Sequence, residues 1–310
     1  MRTVYLGTSD FAATVLRRLA GSPHAPTLVV TPPDSRQGRG RKVSPPPVAE
    51  LAGELGTKLL QTENVNDDDA LERIRAAEPE ALLVCAFGQL IREPLLSLTE
   101  ILNVHPSLLP RWRGAAPIER AIMARDRRTG VCIMRLTEGL DSGPVALRAA
   151  VELGDEDYGT LAPKLAALGG DLLVEALDLL EDRTLAFTEQ DEAEATYAEK
   201  ITAEERRLDP SGSAEDLAAK VRALTPHIGA YLELEGGERL GVREARAISV
   251  ENLEARGFHP RAPGEVGFDD RDLVVTCGDG ELVLDVVQLA GGKPMRSDAY
   301  LLGHSTPTLA

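Results

Sequence analysis

The chain predicts an α/β domain on a mostly parallel sheet, followed by a small β-barrel domain. Three observations carry that expectation. Short apolar runs alternate with helical patterns as far as Leu180, the rhythm of βαβ units. A charged stretch poor in large apolar residues runs from Glu189 to Arg207. Beyond it, short strand-like runs are separated by Gly-rich and Asp-rich turns, the pattern of a small barrel.

In chain order, Val4-Tyr5-Leu6 predicts the first strand and Ala12 to Leu19 the first helix. The turn between them is not Gly-x-Gly-x-x-Gly, so dinucleotide binding has little support. Leu28-Val29-Val30, Ala81 to Cys85 and Ile101-Leu102 read as further strands, with a helix over Ala70 to Ala77. Val131 to Met134 is another apolar strand. Leu161 to Leu180 has apolar residues at helical spacing and closes the first domain as a long amphipathic helix. The expected division is 1–188, a linker 189–207, and a second domain 208–310. Ser213 caps a helix through Leu224, with Glu215 and Asp216 suited to its first turn. Tyr231 to Leu234, Val274-Val275 and Leu282 to Leu284 are the strands of the second domain.

At 310 residues the chain can hold two domains. Its 43% hydrophobic content is ordinary for a globular protein. No run approaches the roughly 18 apolar residues of a membrane span, and Met1 to Gly7 enters a strand without a signal peptide. Cys85, Cys132 and Cys277 are isolated, which disfavours disulfides and zinc and fits buried thiols in a reducing cytoplasm. The net charge of −16 argues against sequence-blind nucleic-acid binding, which depends on cations displacing counterions from phosphates. One local exception is Arg36 to Lys42, an acid-free run with two glycines and prolines on both sides.

The most informative segment is Asn103-Val104-His105-Pro106-Ser107-Leu108-Leu109-Pro110-Arg111-Trp112-Arg113-Gly114, a buried strand breaking into a loop at Pro106. Alternate residues of a strand share a face, so Asn103 and His105 point the same way. The carboxyl end of a strand is where open α/β sheets build their sites. An amide and an imidazole there suit a reaction in which an oxygen gains charge while a proton moves. Alone, the pair reads equally well as a capping Asn and a His satisfied by backbone. A second loop, Glu138-Gly139-Leu140-Asp141-Ser142-Gly143-Pro144, has glycines that permit a tight path with Asp141 at its tip. Alone, that is an ordinary hairpin Asp.

Together the two segments resemble the signature of the folate-dependent formyltransferases. In that family Asn-x-His is followed by Ser-Leu-Leu-Pro and Arg-Gly, and a separate Asp sits in a glycine-flanked loop. Further landmarks are Gly7-Thr8-Ser9-Asp10-Phe11-Ala12, Gly38-Arg39-Gly40-Arg41-Lys42, Trp112 to Ile118, Thr196 to Lys200 and Pro294-Met295. They extend the resemblance over nearly the whole chain, toward members that act on initiator tRNA. Ser9 stands where the family usually has Pro, Phe87 where it has Tyr, and Leu208-Asp209-Pro210 lacks a Trp after the Asp.

The resemblance implies a Rossmann-like formyltransferase domain followed by an OB-like one. It implies transfer of the formyl group of 10-formyltetrahydrofolate, a co-substrate, to the amino group of methionine on initiator Met-tRNA, without a metal. Asn103 and His105 would donate hydrogen bonds to the oxyanion of the tetrahedral intermediate. Asp141 near His105 would favour the imidazolium by charge attraction. It would also help move the proton from the attacking amine to the leaving N10, directly or through water. Folate would be held by Ser107, Leu108, Leu109 and Pro110, and by Phe87, Gln89 and Leu90. Apolar side chains would enclose its flat ring while backbone groups bond the edge. Arg39, Arg41 and Lys42 would contact tRNA. Trp112 either stacks on a ligand or wedges its loop, and Arg111 and Arg113 either meet phosphate or form a solvated rim. The expectation is a cytoplasmic monomer that binds folate and initiator tRNA and no membrane.

Three rivals compete with this expectation. A sugar-nucleotide formyltransferase would share the triad, but the basic loop and full second domain favour tRNA. An NAD-dependent oxidoreductase would use the same sheet but lacks the glycine fingerprint. A non-catalytic RNA-binding protein leaves the triad unexplained.

Overall fold

The computed structural model describes residues 1–37, 42–255, 262–269 and 272–310. β1 (Thr3–Gly7) leads into α1 (Asp10–Ala20) and β2 (Leu28–Thr31). β3 (Ser35–Gln37) and β4 (Lys42–Ser44) pair antiparallel. α2 (Pro47–Leu55), β5 (Lys58–Gln61), α3 (Asp68–Ala76) and β6 (Ala81–Cys85) follow. After them come β7 (Glu100–His105), β8 (Arg113–Gly114), α4 (Pro117–Met123), β9 (Arg128–Arg135), β10 (Val145–Glu152), α5 (Tyr158–Glu181) and β11 (Tyr197–Ala198).

Seven of these strands form one sheet in the order β10-β9-β7-β6-β1-β2-β5. β1 pairs in parallel with β2 and β6, β2 with β5, and β6 with β7, while β9 runs antiparallel to β7. The sheet is therefore mostly parallel. β1, β2 and β6 are buried at every position. A sheet covered on both faces needs continuous apolar strands, which is why these runs stand out in the sequence. From β1 the chain builds β2 and β5 on one side, then returns to β6 and β7 on the other. The carboxyl ends of β1 and β6 thus flank the topological switch point where such sheets bind ligands.

α1 buries Ala12, Val15, Leu16 and Leu19, one stripe at helical spacing. Ser9 caps it by accepting from the Ala12 N–H at 3.3 Å. α2 and α4 each open on a proline, Pro47 and Pro117, whose missing N–H costs nothing in a first turn. They span nine and seven residues. α5 contains Gly169, where an added Cβ would lie 2.8 Å from Val104 Cγ1 of β7. Only a glycine admits so close an approach of the helix to that strand.

By contacts the chain divides into two compact units. One comprises Met1–Gly114, Thr129–Val151 and Ala162–Ala198, the other Ala115–Arg128, Glu152–Leu161 and Glu199–Ala310. The second holds α4 and is built chiefly from α6 (Ala214–Leu224), β12 (Ala230–Glu233), β13 (Arg239–Ser249), α7 (Val250–Ala255) and β14 (Val266–Asp269). β15 (Asp272–Cys277), β16 (Gly280–Leu289), β17 (Met295–Arg296) and α8 (Ser297–Gly303) complete it. Its sheet runs β12-β13-β16-β15-β14, with β17 on β16. The sheet is consistent with the expected OB-like domain; among the described residues no pairing joins β12 to β14 to close it. α6 covers the face that closure would hide, packing Leu217, Val221 and Leu224 against Leu240, Leu273 and Leu284. Ser213 stands at the N-cap of α6 without capping it. The Ala214 N–H donates instead to Asp279 Oδ1 at 2.8 Å.

Two glycine substitutions test this packing in opposite directions. Gly169→Val should lower stability by about 1–3 kcal/mol through overpacking against Val104, and should disturb β7. Gly53→Ala, in α2 with nothing within 4 Å of an added Cβ, should raise stability by about 0.5–1 kcal/mol. Urea denaturation of both variants checks the pair of signs.

Candidate active site

β7 ends in Asn103, Val104 and His105, all buried. Asn103 and His105 lie two apart on the strand and share a face. Asn103 is 8% exposed, and its amide is bonded to no described group, so it is free to meet a ligand. His105 Nε2 donates to the carbonyl of Trp112 at 2.9 Å. A carbonyl only accepts, so Nε2 carries a proton. The other ring nitrogen, Nδ1, faces Asp141 Oδ2 at 3.7 Å, beyond hydrogen-bond length.

Asp141 reaches this position from the loop after β9. Its φ is 46°, a left-handed conformation that Asp tolerates better than most residues. Its Oδ2 accepts from the Gly114 N–H at 2.8 Å. At Gly143 an added Cβ would lie 2.0 Å from the Arg135 carbonyl oxygen, so the close return of this loop requires glycine. The structure therefore sets Asp141 and His105 side by side but not bonded, with Asn103 on the same strand face as His105.

The expected folate residues divide into those that shape loops and those that present side chains. Ser107 is fully buried and donates through Oγ to the Arg111 carbonyl at 2.7 Å. Leu109 packs with Cys132, Met134 and Val145, while Leu108 is half-buried. Pro110 accepts from the Thr196 N–H at 3.2 Å. Phe87 joins the hydrophobic core with Val84 and Ile91, and its carbonyl accepts from Thr8 Oγ1 at 2.7 Å. Gln89 braces a neighbouring loop, accepting from the Val65 N–H and donating to the Thr62 carbonyl, each at 2.8 Å. Leu90 presents its side chain, 62% exposed, to solvent.

Arg113 corrects the sequence reading. Expected at phosphate or in a solvated rim, its side chain is 1% exposed. It donates to both carboxylate oxygens of Glu192 at 2.9 and 2.8 Å, and through Nε to Gln190 Oε1 at 3.0 Å. The bidentate pair holds the Glu192 carboxyl below its usual range and raises Arg113. Arg111 stacks its guanidinium on the Trp112 ring, 4.4 Å from the centroid. Gln190 also donates to the carbonyls of Asp141 and Gly143 at 2.8 and 2.7 Å. Thr196 Oγ1 accepts from the Trp112 N–H at 2.9 Å. Both residues escaped the sequence reading. For Thr196, its place in a landmark segment was the available signal; for Gln190 there was none.

Arg39 and Arg41 lie outside the described residues, and Lys42 is described only by its backbone pairing with Gln37. Among the described residues no group of three His, Cys, Asp or Glu side chains could hold a metal ion. No described helix is long and apolar enough to cross a membrane.

A Rossmann-like sheet carrying an Asn-x-His strand end and an Asp loop defines a class, and the chain belongs to the formyl transferase family. The family's N-terminal domain, Formyl transferase, matches residues 1–177, and its C-terminal domain matches residues 200–305. Within the family, the chain is 40% identical over 308 residues to the methionyl-tRNA formyltransferase of Methylococcus capsulatus, covering 98% of this chain and 97% of that one. It is 42% identical over 306 residues to the methionyl-tRNA formyltransferase of Anaeromyxobacter dehalogenans, covering 96% and 95%. In fold it is similar to HypX from Aquifex aeolicus in complex with tetrahydrofolic acid. The TM-score is 0.64 at 17% identity, over 100% of this chain and 51% of that one.

Cys132 lies opposite His105 in the β7–β9 register, and burial pushes its thiol up to about 11. Burial pushes Cys85, at the end of β6, to about 12. The thiolate is the reactive form, so neither is a nucleophile at neutral pH. Both values exceed the ordinary 9.0, so the unfolded chain loses these protons first. Their stabilisation is complete below about pH 9 and is lost as pH rises through the folded values. Melting temperature followed from about pH 8 to about pH 10.5 should fall faster for the native chain than for a Cys85→Ala, Cys132→Ala variant. Equal slopes would contradict the thiol contribution.

Proposed function

We infer that this protein transfers the formyl group of 10-formyltetrahydrofolate to the amino group of methionine on initiator Met-tRNA, yielding formylmethionyl-tRNA for translation initiation. The observation that carries the inference is full-length similarity, near 40% identity, to proteins bearing that activity in their names. It is supported by Asn103, His105 and Asp141 meeting at one strand end. The same similarity favours tRNA over a sugar nucleotide as acceptor. One chain supplies the whole set of site residues, so the monomer is the proposed working unit, acting in the cytoplasm where initiator tRNA is charged.

The methionine amine attacks the formyl carbon and the carbonyl oxygen becomes an oxyanion. The free Asn103 amide donates to it, and removing one such donor typically costs about 10²–10³ in rate. His105 is held through Nε2, so its Nδ1 edge is the one left to meet the reacting atoms. Once the new C–N bond forms, Asp141 beside that edge takes a proton from the now cationic nitrogen, directly or through water. It delivers that proton to N10 of the folate as the oxyanion collapses and the formyl C–N10 bond breaks, releasing tetrahydrofolate. Leu108 and Leu90 supply apolar contact for the folate ring, and backbone groups of the 87–90 and 107–110 segments bond its edge. The first domain binds folate and carries the chemistry. The second domain helps hold tRNA.

His105→Ala and Asp141→Ala should each lower kcat by orders of magnitude with KM changed far less, because the lost interactions belong to the transition state. Asn103→Ala should lose about 10²–10³. The measurement is formylation of initiator Met-tRNA; near-normal turnover in folded His105→Ala would refute the mechanism.

The acid-free loop supplies the second test. In an acidic chain, Arg39, Arg41 and Lys42 form the local attraction for a polyanion. Arg39→Ala should impair use of initiator Met-tRNA and leave folate affinity intact. Replacing Arg41 and Lys42 together should flatten the salt dependence of tRNA binding, as loss of phosphate contacts does. Unchanged tRNA kinetics across a salt series in both variants would return the loop to a role in solubility.

A further inference from the structure

We propose that Gln190 and Thr196 are positioning residues for formyl transfer, the two ends of one bracket that holds Asp141 and His105 in mutual register. The proposal rests on the functional reading above and adds the segment between α5 and β11 to it.

At one end, the Gln190 amide donates to the carbonyl of Asp141 at 2.8 Å and to that of Gly143 at 2.7 Å. Its Oε1 accepts from Arg113 Nε at 3.0 Å. This orientation is the only workable one, because a flipped amide would set an oxygen against two carbonyls and a nitrogen against a guanidinium. Arg113 is itself locked by two hydrogen bonds to Glu192. The Asp141 loop is thus tied, at the catalytic residue and two residues later, to a buried cation.

At the other end, Thr196 Oγ1 accepts from the Trp112 N–H at 2.9 Å, and the Thr196 carbonyl accepts from the Arg113 N–H at 2.9 Å. The Trp112 carbonyl accepts from His105 Nε2. Trp112 and Asp141 have φ of 63° and 46°, conformations that persist only when surrounding contacts over-determine them. Each end of the bracket secures one of these two residues. The relation between His105 Nδ1 and Asp141 Oδ2 is therefore set by a segment whose described hydrogen bonds go to neither side chain. A misplacement of about 1 Å at a reacting centre can cost about 10²-fold in rate.

The test uses the full-length protein and the variants Gln190→Ala, Gln190→Glu, Thr196→Val and Thr196→Ser, with His105→Ala assigning the imidazole signal. Formylation kinetics should show kcat lowered by about 10–10²-fold in Gln190→Ala and Thr196→Val, with KM near the wild-type value. Thr196→Ser keeps the hydroxyl and should restore the rate. Gln190→Glu should do no better than Gln190→Ala, because a carboxylate has no hydrogen for either carbonyl. In substrate-free protein, Thr196→Val should change the His105 Nε2 resonance in ¹⁵N spectra, and Gln190→Ala the Nδ1 resonance. Folded Gln190→Ala and Thr196→Val proteins with native kcat and native His105 spectra would overturn the bracket. So would Thr196→Ser as impaired as Thr196→Val. Wild-type protein that binds Met-tRNA without formylating it would refute the functional reading alone, since the spectra still decide the bracket.

Discussion

The hydrogen bond from His105 Nε2 to the Trp112 carbonyl ties together more of the site than any other single contact. β7 is buried at five of its six positions, Ile101 to His105. A polar side chain ending such a strand carries a desolvation cost unless it finds a partner. His105 finds it seven residues further along the chain, so the loop from Pro106 to Trp112 must curl back over the strand end. That return draws in the buried Ser107 hydroxyl, which closes on Arg111, and forces Trp112 into a left-handed conformation. It also leaves Nδ1 as the imidazole edge beside Asp141.

A second requirement follows from the first. A loop that folds over a strand end needs anchoring on its outer side, and here the anchor is the buried guanidinium of Arg113. Placing a cation out of water is costly unless its hydrogen bonds are met. Glu192 and Gln190 meet three of them. Glu192 itself stays 70% exposed, so the pair keeps one charge hydrated. Such a pair contributes geometry more than stability: the fixed fork of the guanidinium sets the path of the 190–196 segment beside the Asp141 loop.

Much of the fold was legible because buried parallel strands must be apolar at every position and long amphipathic helices must repeat. Val4-Tyr5-Leu6, Ala81 to Cys85 and the pattern of α5 announce themselves for that reason. α2 and α4 did not, since each opens on a proline, Pro47 and Pro117, and a proline in the sequence reads first as a turn or loop residue. The carboxyl-end pair of β7 was readable because strand alternation dictates that Asn103 and His105 share a face. The strands of the second domain were legible from their turns, but the apolar alternation of β13 and β16 does not say whether a sheet or α6 covers their inner face.

The sequence by itself determined the order of the main buried strands and of α1, α3, α5 and α6, the shared face of Asn103 and His105, and the glycine-permitted loop of Asp141. These rest on local rules of backbone period and conformation, which neighbours in the chain suffice to express. Only the tertiary structure decided that Arg113 is buried, that Gln190 grips the Asp141 loop, and that Thr196 secures the residue holding His105. These are contacts across 77, 49 and 84 positions of the chain. A charged, apolar-poor segment carries no period from which such partners could be read, because what it binds is set by where the sheet brings the strand ends.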